Sequence, residues 1–203
     1  PQDNAKAVYW STKAANQGHA TAQSNLGVMY DKGLGVPQDA AKALYWFTRA
    51  AEQGDAAGQY HLGSVYENGD GVPQNSTKAI YWYTKAAGQG FTDARYNLGV
   101  MYAEGRRVPR DHSKAVFHYT LAAMQSNLRA QYNLGYAYSQ GLGVAKNYIH
   151  AAAWWAVVAV RGNAKGHKAN KILIKRMTPD QIAKAQQLSL QLLKKYGVPF
   201  QKE

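Results

Sequence analysis

A period of 36 residues runs through the sequence from residue 1 to residue 162 without an insertion or a deletion. Leucine, glycine and tyrosine each recur at this interval, for example as Leu26, Leu62, Leu98 and Leu134. Self-similarity at a fixed period of 20–50 residues is typical of stacked repeats, in which each unit buries its apolar face against its neighbours. The period therefore predicts a repeat protein, and repeat surfaces favour binding over catalysis.

Each unit divides into two predicted helices, which we call helix A and helix B. Helix B starts after a column of Asp or Asn, whose short side chains are good N-caps, and ends before a glycine suited to a left-handed residue. Ser126 replaces this glycine in one unit and predicts a strained or differently closed turn. The cap column is Asp3, Asp39, Asn75, Asp111 and Asn147, and the glycines are Gly18, Gly54, Gly90 and Gly162.

Helix A is predicted over about 19–32, 56–68, 92–104 and 128–140, with apolar residues at helical spacing. Gly27 lies in the middle of this helix, where glycine costs about 1 kcal/mol relative to alanine. Its recurrence in four units predicts a neighbouring helix that approaches too closely for a Cβ. A Gly-x-Gly loop follows helix A; Arg107 replaces its second glycine in one unit, so that loop is expected to differ.

These features resemble the Sel-one-like repeat (SLR) family, α/α solenoids related to the tetratricopeptide repeat. Its pattern is carried by NLGVMY at residues 97–102 and by KALYWFTRAAEQG at residues 42–54. The resemblance implies an all-α, right-handed superhelical solenoid of 36-residue helix-turn-helix repeats. The expected domains are a solenoid over 1–162, comprising a lone helix B at 3–17 and repeats at about 19–54, 55–90, 91–126 and 127–162, and basic C-terminal capping helices over 163–203.

The two ends depart from the repeat. The lone helix B is expected to leave Ala7, Trp10 and Ala14 partly uncovered, available to an upstream segment or another molecule. At the other end, Thr178 and Gln181 form a predicted capping box, which opens a last helix that continues to Gly197.

No combination of residues in the sequence indicates an active site. Cysteine is absent, which excludes disulfides and thiolate metal sites, and none of the six histidines has metal-ligand spacing beside a carboxylate. No apolar run approaches the ~18 residues of a membrane-spanning helix. The sequence therefore predicts a non-catalytic protein without a metal, cofactor, small-molecule substrate or transmembrane segment; an enzyme's regulatory domain would need catalytic residues elsewhere.

The A helices are the candidate binding surface, because the resemblance implies that they line a concave groove. Asparagine can bond both backbone groups of an extended peptide, and tyrosine gives a large contact area with one polar tip. Another interpretation of the asparagine column, that it holds neighbouring backbone, stays open. The groove is expected to bind a peptide or a partner protein through Asn25, Tyr60, His61, Tyr96, Asn97, Tyr132, Asn133 and Tyr136.

The tryptophan column of the B helices (Trp10, Trp46, Trp82 and Trp154) is interpreted as core between repeats, because an aromatic recurs there beside an Ala pair. The same interpretation covers Tyr30, Tyr66, Tyr102 and Tyr138.

Basic residues are concentrated at the C-terminal end of the chain, whose net charge is +12. Five of them are spaced by four, three, three and four residues, which predicts one helical face. As an alternative to groove binding, these residues would bind an anionic surface, either an acidic protein or a membrane. The other interpretation is that they only keep the C-terminal cap of the solenoid solvated. Nucleic acid is disfavoured, because the aromatics lie away from these lysines. The five are Arg161, Lys165, Lys168, Lys171 and Lys175.

The resemblance further implies a bacterial interaction scaffold of envelope processes, signalling assemblies or host contact. A periplasmic or secreted location is favoured over the cytoplasm, and the partner is left open.

Overall fold

The computed structural model describes residues 2–196, without the side chains of Gln2 and Asp3, and over this range the chain forms eleven α-helices and no strand. The predicted all-α class is confirmed. Two compact units, residues 1–94 and 95–203, make up the chain. The helices are α1 (Gln2–Asn16), α2 (Ala20–Lys32), α3 (Ala40–Glu52), α4 (Ala56–Asn68), α5 (Ser76–Gly88), α6 (Thr92–Glu104), α7 (His112–Met124), α8 (Leu128–Gln140), α9 (Tyr148–Val160), α10 (Ala164–Ile174) and α11 (Pro179–Tyr196). The predicted end at Gly197 lies outside the described residues.

The predicted N-caps of the B helices are confirmed for α3, α5, α7 and α9. The backbone N–H of Lys42, for example, donates to Asp39 Oδ1 over 2.9 Å. Helix α1 begins at Gln2, so residue 3 lies inside the first turn rather than at a cap. The capping box that opens α11 is also confirmed, because Gln181 N–H donates to Thr178 Oγ1 over 3.2 Å and Thr178 N–H donates to Gln181 Oε1 over 3.0 Å.

The turns after the B helices have the predicted left-handed residue, with φ between 81° and 93° at their glycines. Ser126 adopts φ 64° at the equivalent position, and Arg107 adopts φ 56° where Gly35 has φ 75°. Both loops therefore keep the left-handed backbone despite a side chain, and the expectation that the Arg107 loop differs is wrong at this residue. Left-handed backbone costs a non-glycine residue about 1–2 kcal/mol, which the surrounding turn must offset.

The mid-helix glycines of the A helices each face an aromatic ring of the next B helix. A Cβ at Gly27 would lie 2.5 Å from Phe47 Cε1, and a Cβ at Gly63 would lie 2.7 Å from Tyr83 Cδ1. Gly99 with Tyr119 and Gly135 with Trp155 repeat this arrangement. The predicted close approach is confirmed, and the group that approaches is a buried ring.

The tryptophan column is not a continuous core. Trp154 is buried, but Trp46 and Trp82 are half-buried and Trp10 is 62% exposed, as expected for a lone first helix. The rings beside this column, Phe47 and its equivalents, are the buried ones. The tyrosine column is also only half-buried, and Lys42, Lys78 and Lys114 lie 5.2, 4.9 and 5.3 Å above the rings of Tyr30, Tyr66 and Tyr102.

A series of glutamine side chains links successive hairpins, and we call it the glutamine ladder. In the first unit, buried Gln23 donates from Nε2 to Ala15 O over 3.1 Å and accepts at Oε1 from Gln53 Nε2 over 2.6 Å. Gln59 and Gln89 repeat the pattern one period later. Because an unsatisfied buried amide is costly, these bonds fix how neighbouring helices meet.

Helices α10 and α11 pack against α9, beyond the last hairpin. Tyr196 stacks on Trp154 with ring centroids 6.3 Å apart, and Ser126 Oγ donates to Tyr196 O over 2.6 Å. Among the helices described for residues 2–196, none combines the length and the apolar character needed to cross a bilayer.

Candidate binding groove

Helix α8 carries three predicted groove residues, Tyr132, Asn133 and Tyr136, on one side, because residues four apart in a helix lie above one another. Each of the three lines two of the cavities that surround this side of α8. We call this surface the α8 groove, and its walls come from α6, α7, α9 and α10 of the second unit.

The largest of these cavities, about 520 Å³, lies between α6, α8 and the start of α10. Tyr96, Tyr132 and Asn133 line one part of it, and residues 162–165 line the other. The Arg129 guanidinium carbon lies 4.6 Å from the Tyr96 ring centroid, a cation–π contact that holds both side chains at the cavity wall.

A second cavity, about 320 Å³, lies between α8, α10 and the start of α9, and we call it the α8–α10 cavity. Lys146 and Arg176 line it together with Tyr148. Lys146 Nζ lies 5.0 Å from the Tyr148 ring centroid. The pKa of Tyr148 is lowered, chiefly by a hydrogen bond with Lys146 and further by the charges of Lys146 and Arg176. Two cations thus act on one phenol at the cavity wall.

The third cavity, about 230 Å³, shows what Asn133 does inside the protein. A hydrogen bond joins the Asn133 side chain to the Tyr119 hydroxyl, and burial raises the pKa of Tyr119, which therefore stays protonated. Asn133 consequently both lines the groove and anchors a core tyrosine. This bond joins two side chains, so the interpretation that the asparagine column holds neighbouring backbone stays open.

A second set of tyrosines on the A helices, the predicted groove residues Tyr60, Tyr96 and Tyr132, packs against rings of the core. The Tyr60, Tyr96 and Tyr132 ring centroids lie 5.7, 6.0 and 6.2 Å from those of Tyr83, Tyr119 and Trp155. Trp155 Nε1–H also donates to Tyr132 O over 3.1 Å. All three tyrosines are half-buried, so part of each ring is fixed by packing while the rest faces the surface.

In the first unit the predicted groove residues have different surroundings. Asn25 is exposed. The His61 ring stacks on Phe47 with centroids 4.8 Å apart, and burial lowers its pKa, which keeps the imidazole neutral at pH 7. Tyr60 stacks on Phe91 at 4.9 Å. Asn97, which belongs to the second unit, is half-buried.

The predicted basic face is divided by the turn between α9 and α10. Lys165, Lys168 and Lys171 are exposed along α10, and exposed Lys175 is its C-cap residue. Arg161 instead is the C-cap residue of α9, where its guanidinium donates to Gln131 Oε1 and to Ser126 O, each over 3.0 Å. Arg161 and Gln131 therefore form the second unit's equivalent of the Gln53–Gln23 bond, and we leave Arg161 out of the basic face.

The second unit is strongly basic: residues 95–203 contain 17 of the 24 Lys and Arg and 4 of the 12 Asp and Glu, a net charge of +13. Within its described part the carboxylates are Glu104, Asp111 and Asp180. They pair with Arg106, Lys114 and Lys184, each close by in sequence.

Histidine and carboxylate side chains do not gather as a metal site: over residues 2–196, no three of them lie close enough to hold an ion.

Paired helices repeated every 36 residues define the class as a helical repeat protein. The model of the Sel1 repeat matches residues 1–19, 20–55, 56–91, 92–127 and 128–156, and the chain belongs to the Sel1 repeat family. Its fold is therefore a Sel1-repeat scaffold, a type commonly used for protein–protein interaction.

Several solved bacterial structures are similar to the chain. A Sel1 repeat protein from Oxalobacter formigenes is 40% identical, with a TM-score of 0.77 over 85% of this chain and 50% of that one. The protective antigen c5321 of uropathogenic Escherichia coli, which displays an SLR fold, is 31% identical, with a TM-score of 0.55 over 94% and 49%. Immunity protein Pa5087 from Pseudomonas aeruginosa is 25% identical, with a TM-score of 0.52 over 93% and 72%.

The chain thus spans about half the length of the first two proteins. The comparison with curated proteins gives no match.

Proposed function

We propose that this protein is a non-catalytic scaffold whose α8 groove binds an extended segment of a partner protein. The convergence of three cavities on Tyr132, Asn133 and Tyr136 is the observation that carries the proposal. Adjacent cavities around one face of a helix suit neighbouring side chains of an extended segment.

The groove is suited to binding because its main contact groups are already ordered. Tyr132 rests on Trp155, and Asn133 is bonded to Tyr119, so binding costs little further side-chain entropy. Tyr136 is 49% exposed between two cavities and offers a large apolar ring with a polar tip. An exposed tyrosine in such a place has the character of an interface hot spot.

The test is affinity capture of partners from the native source with wild type and Tyr136→Ala, followed by calorimetry on the recovered partner. We expect Tyr136→Ala to weaken binding about 30-fold or more, the loss typical of a hot-spot tyrosine. Tyr45→Ala is the matched control, since Tyr45 is 50% exposed on a B helix of the first unit. Equal affinity for wild type and Tyr136→Ala would contradict the proposal.

A second candidate, an anion-binding surface on α10, is favoured by exposed Lys165, Lys168 and Lys171. The same experiment separates the two with a Lys168→Glu/Lys171→Glu variant, which changes the α10 face and leaves Tyr136 intact. If this variant loses the partner while Tyr136→Ala retains it, the α10 face carries the binding.

A further inference from the structure

We infer that the α8–α10 cavity receives a carboxylate side chain, so that the segment bound in the α8 groove is acidic. This inference rests on the proposed function and specifies the chemistry of the partner.

Two cations from separate elements meet at this cavity. Lys146 lies in the loop before α9, and Arg176 lies in the turn after α10, yet both line the same space of about 320 Å³. Tyr148 stands beside them, with Lys146 Nζ 5.0 Å from its ring centroid. A lysine ammonium, an arginine guanidinium and a phenol hydroxyl are all hydrogen-bond donors to an anion. Their convergence gives the cavity the donor set of a carboxylate site.

The charge of these cations is not neutralised by the carboxylates of the described part of the second unit. Glu104, Asp111 and Asp180 are the three carboxylates among residues 95–196, and each forms an ion pair with Arg106, Lys114 or Lys184. Lys146 and Arg176 are both exposed. An incoming carboxylate would therefore meet two exposed cations whose shared neighbour is the phenol of Tyr148, and it would not have to displace an internal carboxylate.

Aromatic and aliphatic groups, together with Ser139 and Gln140, form the rest of the cavity wall. Tyr132, Tyr136 and Trp155 line one part, and Ile172 and Leu173 of α10 line another. A charge-assisted hydrogen bond is stronger where such groups exclude water, because the local dielectric constant is lower. The volume is that of roughly ten water molecules, at about 30 Å³ each, which suits one or two side chains.

An acidic polypeptide fits this arrangement better than a membrane or a nucleic acid. A bilayer surface cannot enter a recess walled by aromatic rings, and a nucleic acid needs a row of cations along its backbone. The nearest such row is Lys165, Lys168 and Lys171, which are exposed along α10. A polyanion would depend on these lysines, whereas an acidic side chain in the cavity depends on Lys146 and Arg176.

The test uses the full chain and two fluorescent eight-residue peptides, one of alternating Glu and Leu and the other with Gln in place of each Glu. We expect wild type to bind the Glu peptide about tenfold or more tightly than the Gln peptide, the factor given by one charge-assisted hydrogen bond. Lys146→Gln/Arg176→Gln should remove this preference. The matched control Lys168→Gln/Lys171→Gln makes the same charge change outside the cavity and should keep the preference within about twofold.

Equal binding of the two peptides by wild type would overturn the inference and leave the proposed groove function standing. Binding of neither peptide at about 1 mM would also overturn it, and the Tyr136→Ala capture would then decide the proposed function separately. If the control variant loses its preference for the Glu peptide as fully as the cavity variant does, the preference comes from the α10 lysines and the cavity inference is wrong. If polyuridylate or phosphatidylserine vesicles bind and this binding depends on Lys146 and Arg176, the ligand of the cavity is a polyanion and the inference of an acidic peptide is wrong.

A salt titration of the wild-type protein keeps the inference testable if the cavity variant does not fold. The preference for the Glu peptide should shrink between about 50 and 500 mM NaCl, because salt screens the carboxylate from the two cations. A preference that does not change with salt would contradict a charge-based site.

Discussion

Gly63 and Tyr83 form one packing unit, in which the missing side chain of one residue makes room for the ring of the other. A Cβ on Gly63 would lie only 2.7 Å from the ring of the fully buried Tyr83. Three further glycine–aromatic pairs repeat this contact at intervals of 36 residues. The glycine column alone predicted a close approach, but the approaching ring was assigned only by the structure.

Replacing Gly63 by alanine should destabilise the protein, in spite of alanine's better helix propensity. The new Cβ must displace a buried ring, and overpacking of this kind costs about 1–3 kcal/mol. Gly88→Ala is the matched control, because a Cβ at that helical position meets no atom within 4 Å. It should stabilise by about 0.5 kcal/mol. Urea denaturation measures both, and a Gly63→Ala variant as stable as Gly88→Ala would refute the packing argument.

Arg161 shows where spacing alone misleads. The intervals from Arg161 to Lys175 fit one helical face, but the chain turns at Gly162 and restarts with the cap Asn163. Gly162 belongs to the glycine column that ends all B helices but α7, so the sequence did contain the sign of this break. The bond from Arg161 to Gln131 was not predictable, because it depends on which side chains meet between hairpins.

At the scale of helices, the B helices α3, α5 and α7 each carry neighbouring aromatics of which one is buried. In α3, Phe47 is buried with Ala43, Ala50 and Ala51, whereas Tyr45 is exposed. The repeat pattern predicted that the tryptophan column lies in the core, and this was wrong for Trp10. The spacing of Ala43, Phe47, Ala50 and Ala51 marks the buried face, since positions three and four apart share one side of a helix.

Truncating the two aromatics of α3 should therefore have unequal effects. We expect Phe47→Ala to cost about 3–5 kcal/mol of unfolding free energy, because it empties a fully buried site. Tyr45→Ala should cost less than about 1 kcal/mol, since it removes an exposed ring with a cation–π contact to Arg49. Chemical denaturation of both variants measures the difference, and similar losses would contradict the assigned helix face.

The helix N-caps show how much the repeat columns of the sequence can predict. The Asp and Asn column predicted the starts of α3, α5, α7 and α9 correctly. The A helices are capped by Asp55, Asn127 and Asn163, which the sequence analysis missed. Their column also contains His19 and Phe91, so it does not stand out as a set of cap residues. Contact through exposed Trp10 of α1 stays a prediction.

At the scale of the whole molecule, the two units differ in net charge: one is nearly neutral and the other is basic. Residues 1–94 have seven Lys and Arg and eight Asp and Glu, a net charge of −1, against +13 for residues 95–203. The sequence predicted the face of α8 that carries Tyr132 and Tyr136. It did not predict the cavities, because these depend on how each side chain rests on the core ring behind it.

Stability as a function of pH is also a property of the whole molecule. Burial lowers the pKa of His61, and it lowers that of His118 from 6.5 to about 4. Well above pH 6.5 both imidazoles are neutral in the folded and unfolded chains, and they contribute no pH dependence. As the pH falls from 6.5 towards 4, the unfolded chain binds protons that the folded chain excludes, so stability must decrease.

A His61→Asn/His118→Gln variant should therefore lose less stability than wild type between pH 6.5 and 4. Backbone N–H groups of Lys42 and Lys114 lower the pKa values of Asp39 and Asp111, whose stabilising contribution is lost as the pH falls below about 5. Both proteins contain these carboxylates, so the difference between the two curves reports the histidines. Urea unfolding at pH 7, 6, 5 and 4 measures the effect in each variant. Subtracting the pH 7 value removes any constant cost of the substitutions, so parallel curves would show that buried histidines do not cause the acid sensitivity.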